Sequence, residues 1–127
     1  YCEEDDVMAR QFNVQVSGVE EVLRRLGEQG ARELAREIDQ VTERTVRTMA
    51  NEAADNAPYK SGKLASSIPP SVEKVGEMKW QFGSDVEYAT RQEYEHATKK
   101  GFLRKAVWNN RNQFRQDVRE VIDNHDS

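Results

Sequence analysis

Residues 56–70 read NAPYKSGKLASSIPP, and the run Ser61-Gly62-Lys63 has the residue types that close a phosphate-binding loop. That loop needs glycine at both ends of its span, then lysine for the phosphates and a hydroxyl residue for magnesium, and it follows a strand. Here Leu64 follows Lys63, Ala57 stands at the first glycine position, and a helical pattern precedes the segment. No nucleotide site is expected. A serine–lysine nucleophile built from Ser61, Ser66 or Ser67 with Lys63 would need a desolvated lysine and an oxyanion hole. A polar turn supplies neither, and serine and lysine are ordinary turn and surface residues.

Metal ligation has equally little to build on. His96 and His125 are the only histidines and Cys2 the only thiol, and no pair among them has ligand spacing. Glu87, Glu93 and Glu95 cluster near His96, as a solvated charged loop would. No metal, cofactor or catalytic residue is expected. The segment 99–119 is more suggestive. It carries Lys99, Lys100, Arg104, Lys105, Arg111, Arg115 and Arg119 against the single acid Asp117, with Trp108 among them. Such a basic–aromatic face can bind phosphate. It is also the composition of a protein-interface hot spot, and both readings stay open.

The elements that would position these residues follow from periodicity. Phe12–Val16 alternates apolar and polar, as a half-buried strand does. Ser17-Gly18 breaks it, and VEEVLRRLGEQG reads as a short helix with Ser17 as N-cap and Glu20 completing a capping box. Gly27 and Gly30 weaken or end that helix. A long helix runs from Ala31 to about Asn56, with Leu34, Ile38, Val41, Thr45, Met49 and Ala53 on one stripe widened by alanines. It would be about 39 Å long. Pro58 pushes Ala57 out of helix and stops it.

After the stop, Leu64 to Ile68 reads as a turn of helix or a lead into a strand. Val72–Val75 and Met78–Phe82 form a hairpin across Gly76-Glu77, and Pro69 and Pro70 put its first strand at a sheet edge. Residues 86–91 suit a third strand or a short helix. From Phe102 a C-terminal helix carries Leu103, Val107, Phe114, Val118 and Val121/Ile122 on one face, with Trp108 off that stripe beside Arg104, Arg111 and Arg115. The order predicts an α+β fold, with the long central helix and the C-terminal helix on a small antiparallel sheet.

Composition sets the frame. The chain has 127 residues, 36% hydrophobic and 33% charged, which suits a single domain with much solvated or partnered surface. The net charge is −4, and Glu3, Glu4, Asp5 and Asp6 account for all of it, so the rest of the chain is neutral. Residues 1–11 are expected as a solvated acidic tail, with 12–125 as the domain. Met8 would make a natural start. No signal peptide or membrane-length apolar run is visible, and a single cysteine fits a soluble protein of a reducing compartment.

Four blocks in order carry a resemblance. Ala57-Pro58, Ser61-Gly62, Leu64 and Ser67-Ile68 look like an A-P-x-x-[ST]-G-x-L-x-x-S-I block. Tyr88-Ala89 with Glu93-Tyr94 is similar to Y-A-x-x-x-E-[FY]-G, and Phe102-Leu103 with Ala106 to P-F-L-x-x-A. VSGVEEVLRRL fits an opening block with glycine, glutamate and leucine at matching steps. Together they resemble the neck and tail-completion proteins of long-tailed phages, including the lambda-type minor tail protein Z group, over about residues 14–122. Glu95-His96 stands where Gly-Thr is common, and Gly101 where proline often precedes Phe-Leu.

The resemblance implies a virion protein without catalysis, assembled in the host cytoplasm and placed at the head–tail junction. Its implied partners are further copies of itself in a ring, taken as sixfold from the usual order of the tail. Head connector, adaptor or stopper proteins would lie on one side, and tail-terminator or tail-tube proteins on the other. DNA would pass through the lumen as cargo, with no membrane involved. Pro58, Gly62, Leu64, Ile68, Tyr88, Glu93, Phe102 and Leu103 are then motif residues of structural kind, and Arg104, Trp108, Arg111 and Arg115 the candidate interface. The alternative is a nucleic-acid-associated or regulatory module that uses the basic C-terminal helix.

Overall fold

The structure is a computed structural model that describes residues 2–8, 11–57, 62–84 and 101–126, with side-chain surroundings for 12–57, 62–84 and 101–125. Strand β1 (Cys2–Met8) pairs antiparallel with β2 (Gln11–Val16). Helix α1 (Glu20–Asn56) follows, then the short α2 (Lys63–Ser67), a 3-10 turn at Pro69–Ser71, and the hairpin β3 (Glu73–Gly76) and β4 (Lys79–Gly83). Helix α3 (Phe102–Asp126) ends the chain. The sheet is antiparallel in the order β1-β2-β4-β3. The α+β arrangement is the expected one.

The long helix differs from expectation at its start. One helical run spans Glu20–Asn56, broken only at Gly27, whose φ of 78° and ψ of 178° are non-helical. Gly27 thus separates a short first arm from the long one, because only glycine enters that region at low cost. Gly30 stays within the helix. A Cβ there would lie 2.9 Å from Cβ of Leu26, so its lack of a side chain admits the neighbouring arm. The expected Ser17 cap is absent: the N-cap is Val19, with no side-chain hydrogen bond. At the other end Ala57 is extended, at φ −65° and ψ 144°, as a residue before proline must be.

The apolar stripe of α1 meets both the sheet and α3. Leu34, Ile38, Val41, Thr45, Met49 and Ala53 are all buried, with Leu103, Val107, Phe114, Val118 and Ile122 of α3 in the same core. Two polar contacts fix the helices antiparallel. Glu52 accepts from Asn109 Nδ2 at 2.8 Å and Asn110 Nδ2 at 3.3 Å, and His125 bonds Glu37 near the far end. Against the sheet, Phe12 stacks on Phe82 at 5.9 Å between ring centres. Trp80 Nε1 donates to Asp39 at 3.1 Å, and Lys74 Nζ lies 3.2 Å from the same carboxylate oxygen.

Trp80 and Phe82 point into the core as the alternation predicts, with Met78 buried at the turn. The turn lies one residue later than expected, at Glu77-Met78, where Met78 takes a φ of 55°. The acidic segment expected as a solvated tail is instead drawn into the sheet as its edge strand. Its register sets Cys2 opposite Val16, Glu4 opposite Val14 and Asp6 opposite Phe12. Four acids in a row have low strand propensity, so the backbone ladder, not local preference, makes this strand. The expected element at 86–91 lies outside the described residues.

Candidate functional site

The segment that raised the nucleotide question is a turn. Gly62 sits at the N-cap of α2 in the left-handed region, with φ 77° and ψ −5°. From there Leu64 and Ile68 enter the core, fully covered. The serines spend their hydroxyls locally: Ser66 Oγ donates to Lys63 O at 3.1 Å and Ser67 Oγ to Leu64 O at 2.7 Å. Ser67 also meets Ser84 Oγ at 2.6 Å, and Gly83 N–H donates to Ser71 Oγ at 2.9 Å, so α2 and its 3-10 extension are tied to the end of β4. Lys63 is exposed at the start of α2.

Of the other motif residues, Phe102 and Leu103 are buried at the start of α3, behind Gly101 at φ 77°. Gly101 O accepts from Lys105 N–H at 2.8 Å and so opens the helix. A proline at 101 could not adopt that positive φ. Pro58, Ser61, Tyr88, Glu93 and His96 lie outside the described residues. Among the described residues, no group of three or more His, Cys, Asp or Glu is placed to hold a metal ion, and no helix is long and apolar enough to cross a membrane.

The candidate interface comes together on α3. Arg104, Trp108, Arg111 and Arg115 are spaced by four, three and four residues, which stacks them on one flank. Trp108 is 68% exposed, while the three arginines are partly buried. The Arg111 guanidinium carbon stands 4.8 Å from the centre of the Trp108 ring, within cation–π range. Asn109 points the other way, to Glu52 of α1. The Arg–Trp flank is therefore turned away from α1, and Trp108 is no part of the core. Together with Val75 of β3, it is one of two large apolar side chains left exposed among the described residues.

What the site can do follows from its chemistry. An exposed indole carrying a guanidinium offers apolar area with a fixed positive charge, which suits a partner surface that is flat, apolar and acidic. Sequence reasoning did not find the Asp39–Trp80–Lys74 cluster or the Glu37–His125 contact, since each joins residues dozens of positions apart. It also gave no sign that the acidic segment would sit beside α3. Compared with known protein families, curated proteins and solved structures, the chain matches none.

Proposed function

We propose that this chain is a structural virion protein of the head–tail junction, forming a closed ring that joins the head to the tail and lets DNA pass. The support is of two kinds. The blocks that carry the resemblance supply turn and core residues here: Gly62 in a left-handed turn, and Leu64, Ile68, Phe102 and Leu103 in the core. These residues shape a turn and fill the core, as scaffold residues do. The observation that carries the assembly role is Trp108, 68% exposed on a helix whose opposite side is held by α1. A head-to-tail contact through such an anchor gives a ring where its rotation closes.

The test is Trp108→Ala. Truncation of an aromatic anchor costs about 2 kcal/mol or more at a hot spot, roughly a 30-fold loss of affinity per contact. The variant keeps the circular dichroism spectrum and melting temperature of the parent, and loses the ring in sizing and tailed particles in complementation. A folded variant that still assembles and complements removes Trp108 as the anchor. A second reading, a module bound to nucleic acid, is favoured by Lys105 and Arg119, both exposed on α3. It predicts monomeric binding to duplex DNA that falls steeply with salt, whereas the ring reading predicts a stable oligomer without DNA.

A further inference from the structure

The sheet has an even number of strands, and that governs how copies can share it. Among the described residues its order is β1-β2-β4-β3, with every neighbour antiparallel. β1 and β4 therefore run one way, and β2 and β3 the other. The two outer strands, β1 and β3, point in opposite directions, and each is paired on one side only. An edge strand presents a row of unpaired N–H and C=O groups to any backbone that can lie beside it. A second copy in the same orientation brings its β1 beside β3 of the first, and that pairing is antiparallel. The antiparallel order then continues from copy to copy. Repeated by rotation, it is a head-to-tail contact of the kind that closes a ring.

Charge favours this pairing over the self-pairing of β1. β1 holds Glu3, Glu4, Asp5 and Asp6 with no base among them, and like charges set against each other across two strands oppose pairing. On β3, Glu73 and Lys74 cancel, and Val75 beside them is 41% exposed. Rows of paired residues cross the whole sheet. Glu4 is level with Val14, Trp80 and Lys74, and Asp5 with Asn13, Gln81 and Glu73. Joining copies without stagger therefore puts Lys74 of one copy in the row of Glu4 of the next. β3 has four residues and shifts register between Lys74 and Gly76, so a single joint is weak. A closed ring, in which every copy makes two joints, is the form that holds.

We propose that β1 of one copy adds to the β3 edge of the next, so that the sheets of neighbouring copies run together around the ring. The inference rests on the ring reading above and supplies the backbone part of the contact between copies.

A pair of cysteines reads this contact alone. β1 and β3 of one subunit lie three strand spacings apart, about 14 Å, beyond the roughly 7 Å limit for a disulfide. Any bridge between them joins two copies. Asp5→Cys with Glu73→Cys in a Cys2→Ser background uses one row and removes its two like charges. Oxidised where sizing shows assembly, this variant gives a ladder of covalent oligomers that ends at ring size. Each single-cysteine variant stays monomeric on the same non-reducing gel, and a mixture of the two gives covalent dimers and nothing larger. Amide exchange, which needs no substitution, slows at residues 2–8 and 73–76 as the native protein assembles.

Covalent dimers from either single variant mean that like edges meet, and they overturn the head-to-tail joint. Slowed exchange without a bridge keeps the pairing and overturns its unstaggered row. Assembled protein with no bridge and unchanged exchange overturns the edge pairing and leaves the ring standing. Protein that stays monomeric at every concentration overturns both.

Discussion

Replacing Gly62 tests whether the 56–70 segment acts through backbone shape or through chemistry. Gly62 has φ 77° and ψ −5° at the start of α2. An L-residue with a branched Cβ held in such a region costs up to about 3 kcal/mol. The substituted chain also loses conformational freedom when unfolded, which returns about 1 kcal/mol. Gly62→Val should therefore destabilise by about 2 kcal/mol, or about 8 °C in melting temperature for a domain of this size. Asparagine tolerates left-handed backbone, so Gly62→Asn should cost about 1 kcal/mol or less. Lys63 is exposed, and Lys63→Ala should stay within about 0.5 kcal/mol. Thermal melts of the three variants, with urea titrations as a second measure, give the order. If Lys63→Ala is the most damaging, the loop has a chemical role and the conformational argument fails. If Asn and Val cost the same, the loss comes from crowding at Cβ and not from φ.

Other expectations follow from single contacts. Trp80→Phe removes the bond to Asp39 and should cost about 1.5–3 kcal/mol in urea denaturation, since the acceptor is a charged group. Lys74→Ala, at the half-exposed end of the same cluster, should cost less than about 1 kcal/mol; the reverse order would show that the ion pair, not the indole, holds β4 to α1. Gly30→Ala would raise helix propensity by about 1 kcal/mol at an open site, but its Cβ would meet Leu26 at 2.9 Å. The variant should melt no higher than the parent, and a clear rise in melting temperature would refute the close approach. Glu52→Ala leaves Asn109 and Asn110 without their shared acceptor and should cost about 1–2 kcal/mol, with the loss seen as faster amide exchange along the facing turns of α1 and α3.

Much of this fold is legible in one dimension because it depends on local rules. The stripe Leu34–Ala53 and the face Leu103–Ile122 follow helical spacing, and a helix must bury whichever side is apolar. Pro58 stops α1 by a steric effect on its immediate neighbour, and Gly62 is legible as the turn because a break after a helix favours a residue that tolerates left-handed backbone. The alternation of Met78, Trp80 and Phe82 fixed which face of the hairpin is inward. The misses are also local in origin. Ser17 and Glu20 have capping-box spacing, yet the chain enters α1 through Val19. Gly27 and Gly30 look alike in sequence, yet Gly27 takes a non-helical backbone and breaks the helix, while Gly30 stays helical with Leu26 packed close against it.

The sequence by itself determined the charge division between residues 3–6 and the rest, the two apolar helix faces, and the spacing that aligns Arg104, Trp108, Arg111 and Arg115. Each is a property of residue identity and helical geometry, and none of the three needs a distant partner. Tertiary structure decided which flank of α3 remains open, because Glu52, far away in sequence, holds Asn109 on the other side. It also decided that Trp108 stays outside while Trp80 goes in, a choice set by Asp39 offering an acceptor where α1 crosses β4. And it turned an acidic segment of poor strand propensity into the edge of a sheet, since β2 presents an unpaired ladder that only a neighbouring backbone can satisfy.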